Sequence, residues 1–334
     1  MKAAVVRQHG EIDQIEIDPA FPDPEAGPGE AVVEVKACSL NYHDLFTLRG
    51  MPGIKVPMPI IMGIDMAGVV SQVGPEVEGW KPGDRVLVDP INRKTGKLQG
   101  EMVNGGLAEK TKVEAHQLLP LPDDLDFVAA ASLPVAYGTA YRMMVTRGAV
   151  SSGEKVLILG ASGGVGTCCV QLAKMAGAEV IVCASSQDKL DRLAEIGADH
   201  LINYTEADFM RQVHELFGKP RVWGAGGVDV VVNFTGGETW VPSLRCLTKG
   251  GRLLTCGATA GYDPKTDIRF IWTFEQSIMG SNGWLPEDLV ELMELTRSGR
   301  IKPVIDRVVP LEEAGAALDA MDSRKILGKI VITP

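Results

Sequence analysis

From Val156 to Gly166 the chain reads Val-Leu-Ile-Leu-Gly-Ala-Ser-Gly-Gly-Val-Gly, an apolar run opening into a glycine loop. A helical pattern over residues 167–176 follows at once. Strand, glycine turn and helix in that order suit a dinucleotide pyrophosphate. The helix N-terminus offers free N–H groups to the negative charge. Gly163 lets the backbone approach the phosphates, and Gly166 lets helix and strand pack closely. Alanine, Ala161, stands at the first-glycine position of this fingerprint. The expected phosphate cradle is therefore Ala161, Ser162, Gly163, Gly164, Val165 and Gly166.

The next half-unit bears on which dinucleotide binds. A second apolar strand, 179–183, ends where an NAD binder sets an acid against the ribose 2′-hydroxyl, about 20 residues on. Ala184, Ser185 and Ser186 stand there instead, with Lys189 just beyond. An acid would repel a 2′-phosphate, whereas two hydroxyls and an ammonium would accept it. The expected cofactor is NADPH. Ser185 also has a purely local use as the cap of a helix over 188–196, and the two uses are compatible.

Working outward, 334 residues exceed a usual single core and leave room for two domains. A hydrophobic content of 45% with 23% charged residues is that of an ordinary globular chain. The net charge of −10 argues against nucleic acid or an anionic membrane as partner. The opening Met-Lys-Ala-Ala-Val-Val-Arg breaks too soon for a signal peptide. The most apolar stretch, 127–141, contains Pro134 and Gly138 and is too short to span a bilayer. A cytoplasmic location is expected. The six cysteines, at 38, 168, 169, 183, 246 and 256, include no Cys-x-x-Cys pair, and the five histidines lack ligand spacing.

The first 120 or so residues read as short strands between Pro/Gly turns, at 31–37, 67–73 and 84–89, which suggests a barrel-like β domain. From Asp126 onward helices and strands alternate. A helix over 135–147 leads to strands at 155–159, 201–203, 228–233, 252–256 and 277–280. That alternation implies a doubly wound parallel sheet. Residues 301–334 return to β texture around a helix at 311–321. The expected domains are 1–125 with 301–334, and 126–300, an α/β fold overall. The apolar stretch 270–280 reads as an edge strand suited to a homodimer, with a tetramer as the alternative.

With these pieces in order, the chain resembles the medium-chain dehydrogenase/reductase superfamily over its full length. The resemblance rests on Pro28-Gly29-Glu30, Asn41-Tyr42-His43-Asp44, Gly63-Ile64-Asp65-x-Ala67-Gly68-Val69-Val70 and Lys81-Pro82-Gly83-Asp84-Arg85-Val86. The loop at 161–166 and the closing Gly328-Lys329-Ile330-Val331 complete it. It implies a GroES-like substrate domain, a Rossmann domain and an active-site cleft between the two. Zinc-type members of that superfamily carry a ligand cysteine where Asn41 stands, a ligand histidine at Ile64, and a third ligand, a cysteine, near residues 133–136, where this chain has none. Cys38 lies three residues too early. No metal is expected, because zinc needs three protein ligands and an open position. The segment 90–104 has no cysteine for a structural zinc. Its Arg93, Lys94 and Lys97 read as a solvated loop, with a phosphorylated substrate tail or a subunit neighbour as the minority reading.

Without a Lewis acid an isolated carbonyl is hard to reduce. A quinone, enone or enoyl thioester spreads the incoming charge into an enolate that hydrogen-bond donors can stabilise. The resemblance agrees, since the zinc-free branch is similar to quinone oxidoreductases and acryloyl- or enoyl-thioester reductases. Asn41 is expected to donate its amide to substrate or nicotinamide, with Tyr42 and His43 as candidate donors to an enolate. Each has a packing role as its alternative, and solvent as proton source, with no obligate acid, is the other reading. By resemblance, Thr139 lies near nicotinamide or phosphates and Tyr204 near the adenosine end. Thr235, Gly236, Cys256, Gly257, Ser281 and Asn282 fall on loops after strands, where ligands of open α/β sheets collect. Trp272 and Trp284 line a pocket or pack between subunits. Two other functions remain open: an alcohol dehydrogenase with a rearranged metal site, and a non-catalytic NADPH-binding protein.

Overall fold

A computed structural model describes residues 1–334. Its chain divides into two compact units, Met1–Ala136 with Leu289–Pro334, and Tyr137–Asp288. No helix is long and apolar enough to cross a membrane.

The first unit begins with β1 (Ala3–Val6), β2 (Ile15–Asp18), β3 (Glu30–Ser39), β4 (Ile60–Ile61), β5 (Asp65–Val73), β6 (Arg85–Val88), β7 (Lys110–Glu114) and β8 (Leu118–Pro120). Strands β2, β1 and β4 form a small antiparallel sheet. In the larger sheet β3 is the spine, with β5 antiparallel along one side and β7 along the other. Its sequence explains that place. Val33, Val35 and Ala37 are buried while Glu34 and Lys36 between them reach solvent, the two-residue period of a half-buried strand. Val33, Leu45, Ile60, Met62, Met66 and Leu107 belong to one core.

In the second unit β9 (Lys155–Ile158), β10 (Glu179–Ala184), β11 (His200–Asn203), β12 (Val228–Val232), β13 (Leu247–Thr255) and β14 (Ser277–Gly280) form one parallel sheet, in the order β11-β10-β9-β12-β13-β14. Its central strands are apolar on both faces: Val156, Leu157 and Ile158 on β9, like Val230, Val231 and Val232 on β12, have no exposed surface. Continuous rather than alternating burial is what helices on both sides of a parallel sheet produce. The chain moves one way across the sheet from β9 to β11, then returns to start again at β12. The crevice at that reversal is where open α/β sheets bind ligands.

The remaining strands, β15 (Ile305–Pro310) and β16 (Lys329–Thr333), run parallel to each other, and β16 pairs with β3. The end of the chain is thus built into the first unit.

Four expectations need correction. The units part after Ala136 and after Asp288, not after 125 and 300. On the first side the cause is visible: helix Phe127–Ala131 packs on β3 and β5, and the Val135 N–H donates to Asp65. The helix after the glycine loop starts at Gly164, three residues before the apolar pattern shows it. The helical stretch expected from 135 starts with wide turns at Leu133–Gly138 and passes through Thr139–Tyr141. Residues 270–280 are not one strand, because Ile268–Thr273 is helical and only Ser277–Gly280 is extended.

Candidate functional site

In the second unit, the helix Gly164–Ala176 starts directly from the loop after β9, with Gly163 as its N-cap residue. The two glycines of the fingerprint do different work. A Cβ on Gly166 would lie 2.4 Å from the Gly160 carbonyl oxygen and 2.6 Å from Ala161 Cα, so only hydrogen lets the helix sit this close to the strand end. A Cβ on Gly163 would meet nothing nearer than that same oxygen at 3.6 Å. Packing alone therefore does not require glycine at 163, and the helix N-terminus carries no side-chain cap, which leaves its N–H groups for an anion.

At the end of β10 the cap is Ser186, not Ser185: its Oγ accepts the Lys189 N–H at 3.4 Å. The neighbouring Ser185 has no capping duty and is half-buried. Tyr204, beyond β11, is exposed, and its N–H donates to the Ala184 carbonyl at 3.1 Å, which holds it beside the end of β10. Past the reversal, the N–H groups of Thr235 and Gly236 are both taken by Asn233 Oδ1, at 2.9 and 3.0 Å. Gly236, Cys256, Gly257, Ser281 and Asn282 line one cavity of about 740 Å³ in this unit. Thr235 is not among its walls, and Thr139 is buried in its helix.

The same cavity takes in residues the sequence reading missed: Arg142, Arg147, Trp240 and Tyr262. The two arginines were detectable, since they follow Thr139 at helical spacing. Of four buried side-chain polar atoms without hydrogen-bond partners, two belong to residues lining this cavity: Ser281 Oγ, in a residue 8% exposed, and Arg142 Nη1, whose nearest acid is Asp288 at 3.8 Å. Buried polar atoms normally find partners, so an orphan hydroxyl and an orphan guanidinium nitrogen, both from cavity-lining residues, suit a polar ligand. Together with the helix N-terminus left without a side-chain cap at Gly163, they fit a dinucleotide. Trp284 is buried and packs on Gly138, whereas Trp272 is exposed.

In the first unit, β3 runs into helix Tyr42–Arg49, and the turn between them carries Asn41. Asn41 is only 5% exposed and its amide is fully engaged. Nδ2 donates to Asp65 Oδ2 at 2.9 Å and to the Ser39 carbonyl at 3.3 Å, and Oδ1 accepts from Lys329 Nζ at 2.6 Å. The expected donation to substrate or nicotinamide therefore has no hydrogen left, and the geometry gives Asn41 a positioning role. Lys329, on β16, was quoted as part of a family block and missed as a site residue. Its ammonium also donates to the Leu40 carbonyl at 2.7 Å and lies 3.5 Å from Asp65. Asp44 accepts from the N–H groups of Asn41 and Gly63, at 2.7 and 3.2 Å.

These charges are buried, and burial dominates their protonation. It pulls the Lys329 ammonium down, against the opposing pull of Asp65 and Asp44. It pushes the Asp65 carboxyl up and that of Asp44 up to about 6. Burial, helped by the negative charge of Asp44 and Asp65, also keeps the Cys38 thiol protonated. Nowhere do three or more His, Cys, Asp or Glu side chains gather in a geometry for a metal ion.

Next to this network His43 Nε2 meets Glu101 Oε1 at 2.6 Å. The rings of Tyr42 and His43 both stand edge-on to Phe46, with centroids 5.4 and 6.0 Å away. Glu101 lies in the 90–104 segment expected to be a solvated loop. Within it, residues 93–97 and Asn104 are exposed, while Gln99 and Glu101 are buried. Arg93 is exposed but turned back onto Asp89 at 3.1 Å.

Residues 27–123 match the family described as alcohol dehydrogenase GroES-like domain, and residues 164–298 the one described as zinc-binding dehydrogenase. A crotonyl-CoA reductase of Streptomyces avermitilis is 33% identical, over 89% of this chain and 77% of its own length. The chain belongs to the medium-chain dehydrogenase/reductase superfamily. Within it, the chain falls in the quinone and enoyl reductase-like branch, and it is an oxidoreductase enzyme. A solved NAD-dependent alcohol dehydrogenase superposes over the whole of both chains, with a TM-score of 0.92 and 34% identity. A crotonyl-CoA carboxylase/reductase, AntE, solved with NADP, gives 0.87 at 25% identity, covering all of this chain and 94% of that one. Such neighbours support binding of a nicotinamide cofactor.

The two glycines separate packing from binding in one experiment. Gly166→Ala should lower stability by roughly 2 kcal/mol through overpacking. Gly163→Ala should melt like the wild type yet bind dinucleotide more weakly, read by thermal melting and by fluorescence titration. Equal melting losses in both variants would remove the distinction.

Proposed function

We propose that this enzyme uses NADPH to reduce an activated double bond or a quinone, with no bound metal, and that enoyl thioesters are its foremost substrate class. The observation that carries the reading is the Lys329–Asn41–Asp65 network. Where zinc-type relatives hold ligands, this chain has an amide occupied on both ends and the buried Ile64. An acceptor that delocalises its own charge fits that donor set better than a plain carbonyl. The similarity to crotonyl-CoA reductase supports the thioester, and the absence of an acid at Ala184, Ser185 and Ser186 supports NADPH.

NADPH when bound supplies the hydride. The loop 161–166 and the helix N-terminus at Gly164 hold its pyrophosphate, and Ser185 with Lys189 receives the 2′-phosphate. Gly236, Cys256, Gly257, Ser281 and Asn282 wall the cavity for the nicotinamide half. Asn41 fixes the turn that presents Tyr42 and His43, the donors to the enolate. The edge strand β14 carries exposed Ile278, and Trp272 is exposed just before it, which favours pairing of two copies into a homodimer.

Initial rates with NADPH and NADH against a benzoquinone, an alkyl enone, acryloyl-CoA and crotonyl-CoA test the reading. The enzyme should prefer NADPH and a thioester, and Ser185→Asp should shift preference towards NADH. An unchanged cofactor ratio would remove the argument from the missing acid. Turnover should survive chelation, and stoichiometric zinc with chelator-sensitive rates would replace this proposal with the alcohol dehydrogenase reading. Sedimentation velocity should show a dimer; a monomer at every concentration would refute the pairing.

A further inference from the structure

We propose that Glu101 is the positioning residue that makes His43 the proton donor of the reduction, with Nδ1 as the atom that releases the proton. The inference rests on the reductase reading above and adds to it a residue that no sequence motif marked.

Glu101 is 2% exposed, yet the one side chain that meets its carboxylate is the His43 imidazole, at 2.6 Å. A buried carboxylate needs a hydrogen-bonded cation more than a surface one does. The partner here is a group that can be either cationic or neutral, not a lysine or arginine, whose charge would be permanent. His43 in turn is half-buried, its side chain 31% exposed. Its Nε2 is committed to Glu101. Its Nδ1 makes no hydrogen bond within the chain and is not buried. One nitrogen is anchored and the other is presented, the arrangement in which a carboxylate fixes ring orientation and tautomer for proton transfer.

The surroundings act on the ring in opposed ways. Burial, the largest influence, favours neutral imidazole, while the hydrogen bond and charge of Glu101 and then the charge of Asp44 favour the cation. The carboxylates prevail, so His43 holds its proton above its ordinary range. Phe46, edge-on to the ring, contributes no charge. Asp44 sits on the same helix but spends its oxygens on the backbone of Asn41 and Gly63, leaving Glu101 as the side chain that touches the imidazole.

The step balances without any further reagent. Hydride addition at the β-carbon of the enoyl thioester sends the double-bond electrons towards the thioester oxygen as an enolate. The Nδ1–H bond of His43 then breaks, its proton bonds to the α-carbon, and the enolate electrons form that C–H bond. His43 is left neutral, still held by Glu101, and recovers its proton from water.

The test uses the full-length enzyme. In ¹⁵N-histidine spectra of the cofactor-free protein, the resonance lost in His43→Asn identifies His43. In Glu101→Gln its titration midpoint should fall by about one pH unit or more. The high-pH limb of kcat for crotonyl-CoA with NADPH should fall in parallel, so that kcat at pH 8 drops roughly tenfold and returns towards wild type at lower pH. KM for NADPH should stay unchanged, and Glu101→Asp should restore part of the shift. A His43 midpoint that does not move in either variant overturns the role of Glu101, whatever the enzyme turns over. A pH limb that moves in Tyr42→Phe and not in Glu101→Gln or His43→Asn overturns the donor assignment while leaving the reductase reading intact. If the wild type reduces none of the panel, the reductase reading fails and takes the donor role with it. If Glu101→Gln does not fold, Glu101→Asp carries the same comparison.

Discussion

The Lys329 ammonium, buried at the end of the chain, holds together the part of the first unit where chemistry is expected. It is taken out of water beside Asp65 and satisfied by the Leu40 carbonyl and the Asn41 amide oxygen. Burying a charge this way is stabilising only when every partner is in place, and removing one partner costs about 3–5 kcal/mol. The consequence is geometric. Strand β16 cannot shift along β3 without stranding the ammonium, and the turn at Asn41 cannot relax without breaking bonds to Asp65. Asp65 in turn fixes the backbone at Val135 through its other oxygen, 2.9 Å away. Tyr42 and His43 follow Asn41 directly, so their placement inherits this rigidity. The network gives the unit one strongly specified conformation.

The second unit solves a different problem with less chemistry. Its sheet is apolar on both faces, and the polar work is pushed to the ends of the strands. Gly166 allows the first helix to approach the strand end, and Gly163 gives its N-terminus no side-chain cap. The cavity beyond β13 and β14 keeps a serine hydroxyl and an arginine nitrogen without partners. An enzyme that must receive a charged dinucleotide on a chain of net charge −10 needs such local devices, because its overall field opposes the ligand.

Much of this was readable from the sequence because the signals are local. Apolar runs between glycines mark parallel strands, and the glycine loop at 161–166 marks the turn from β9 into the helix that follows. Errors arose where local pattern competes with distant contacts. The cap after β10 moved from Ser185 to Ser186, since two adjacent serines look alike until the backbone turns. Residues 126–136 joined the first unit because Asp65, far away in sequence, takes the Val135 N–H. Asn41 was expected to face a ligand and instead faces Lys329, a partner 288 residues away.

The sequence by itself determined the fold class, the order of elements and the strand–glycine loop–helix unit, all of which depend on residue type at short spacing. Tertiary structure alone decided that Lys329 sits in the Asn41 network, that Glu101 meets His43, and that Arg142 and Ser281 share a cavity. Those pairings join segments distant along the chain, and whether a lysine is a solvated surface charge or a buried cation depends on which strands close around it.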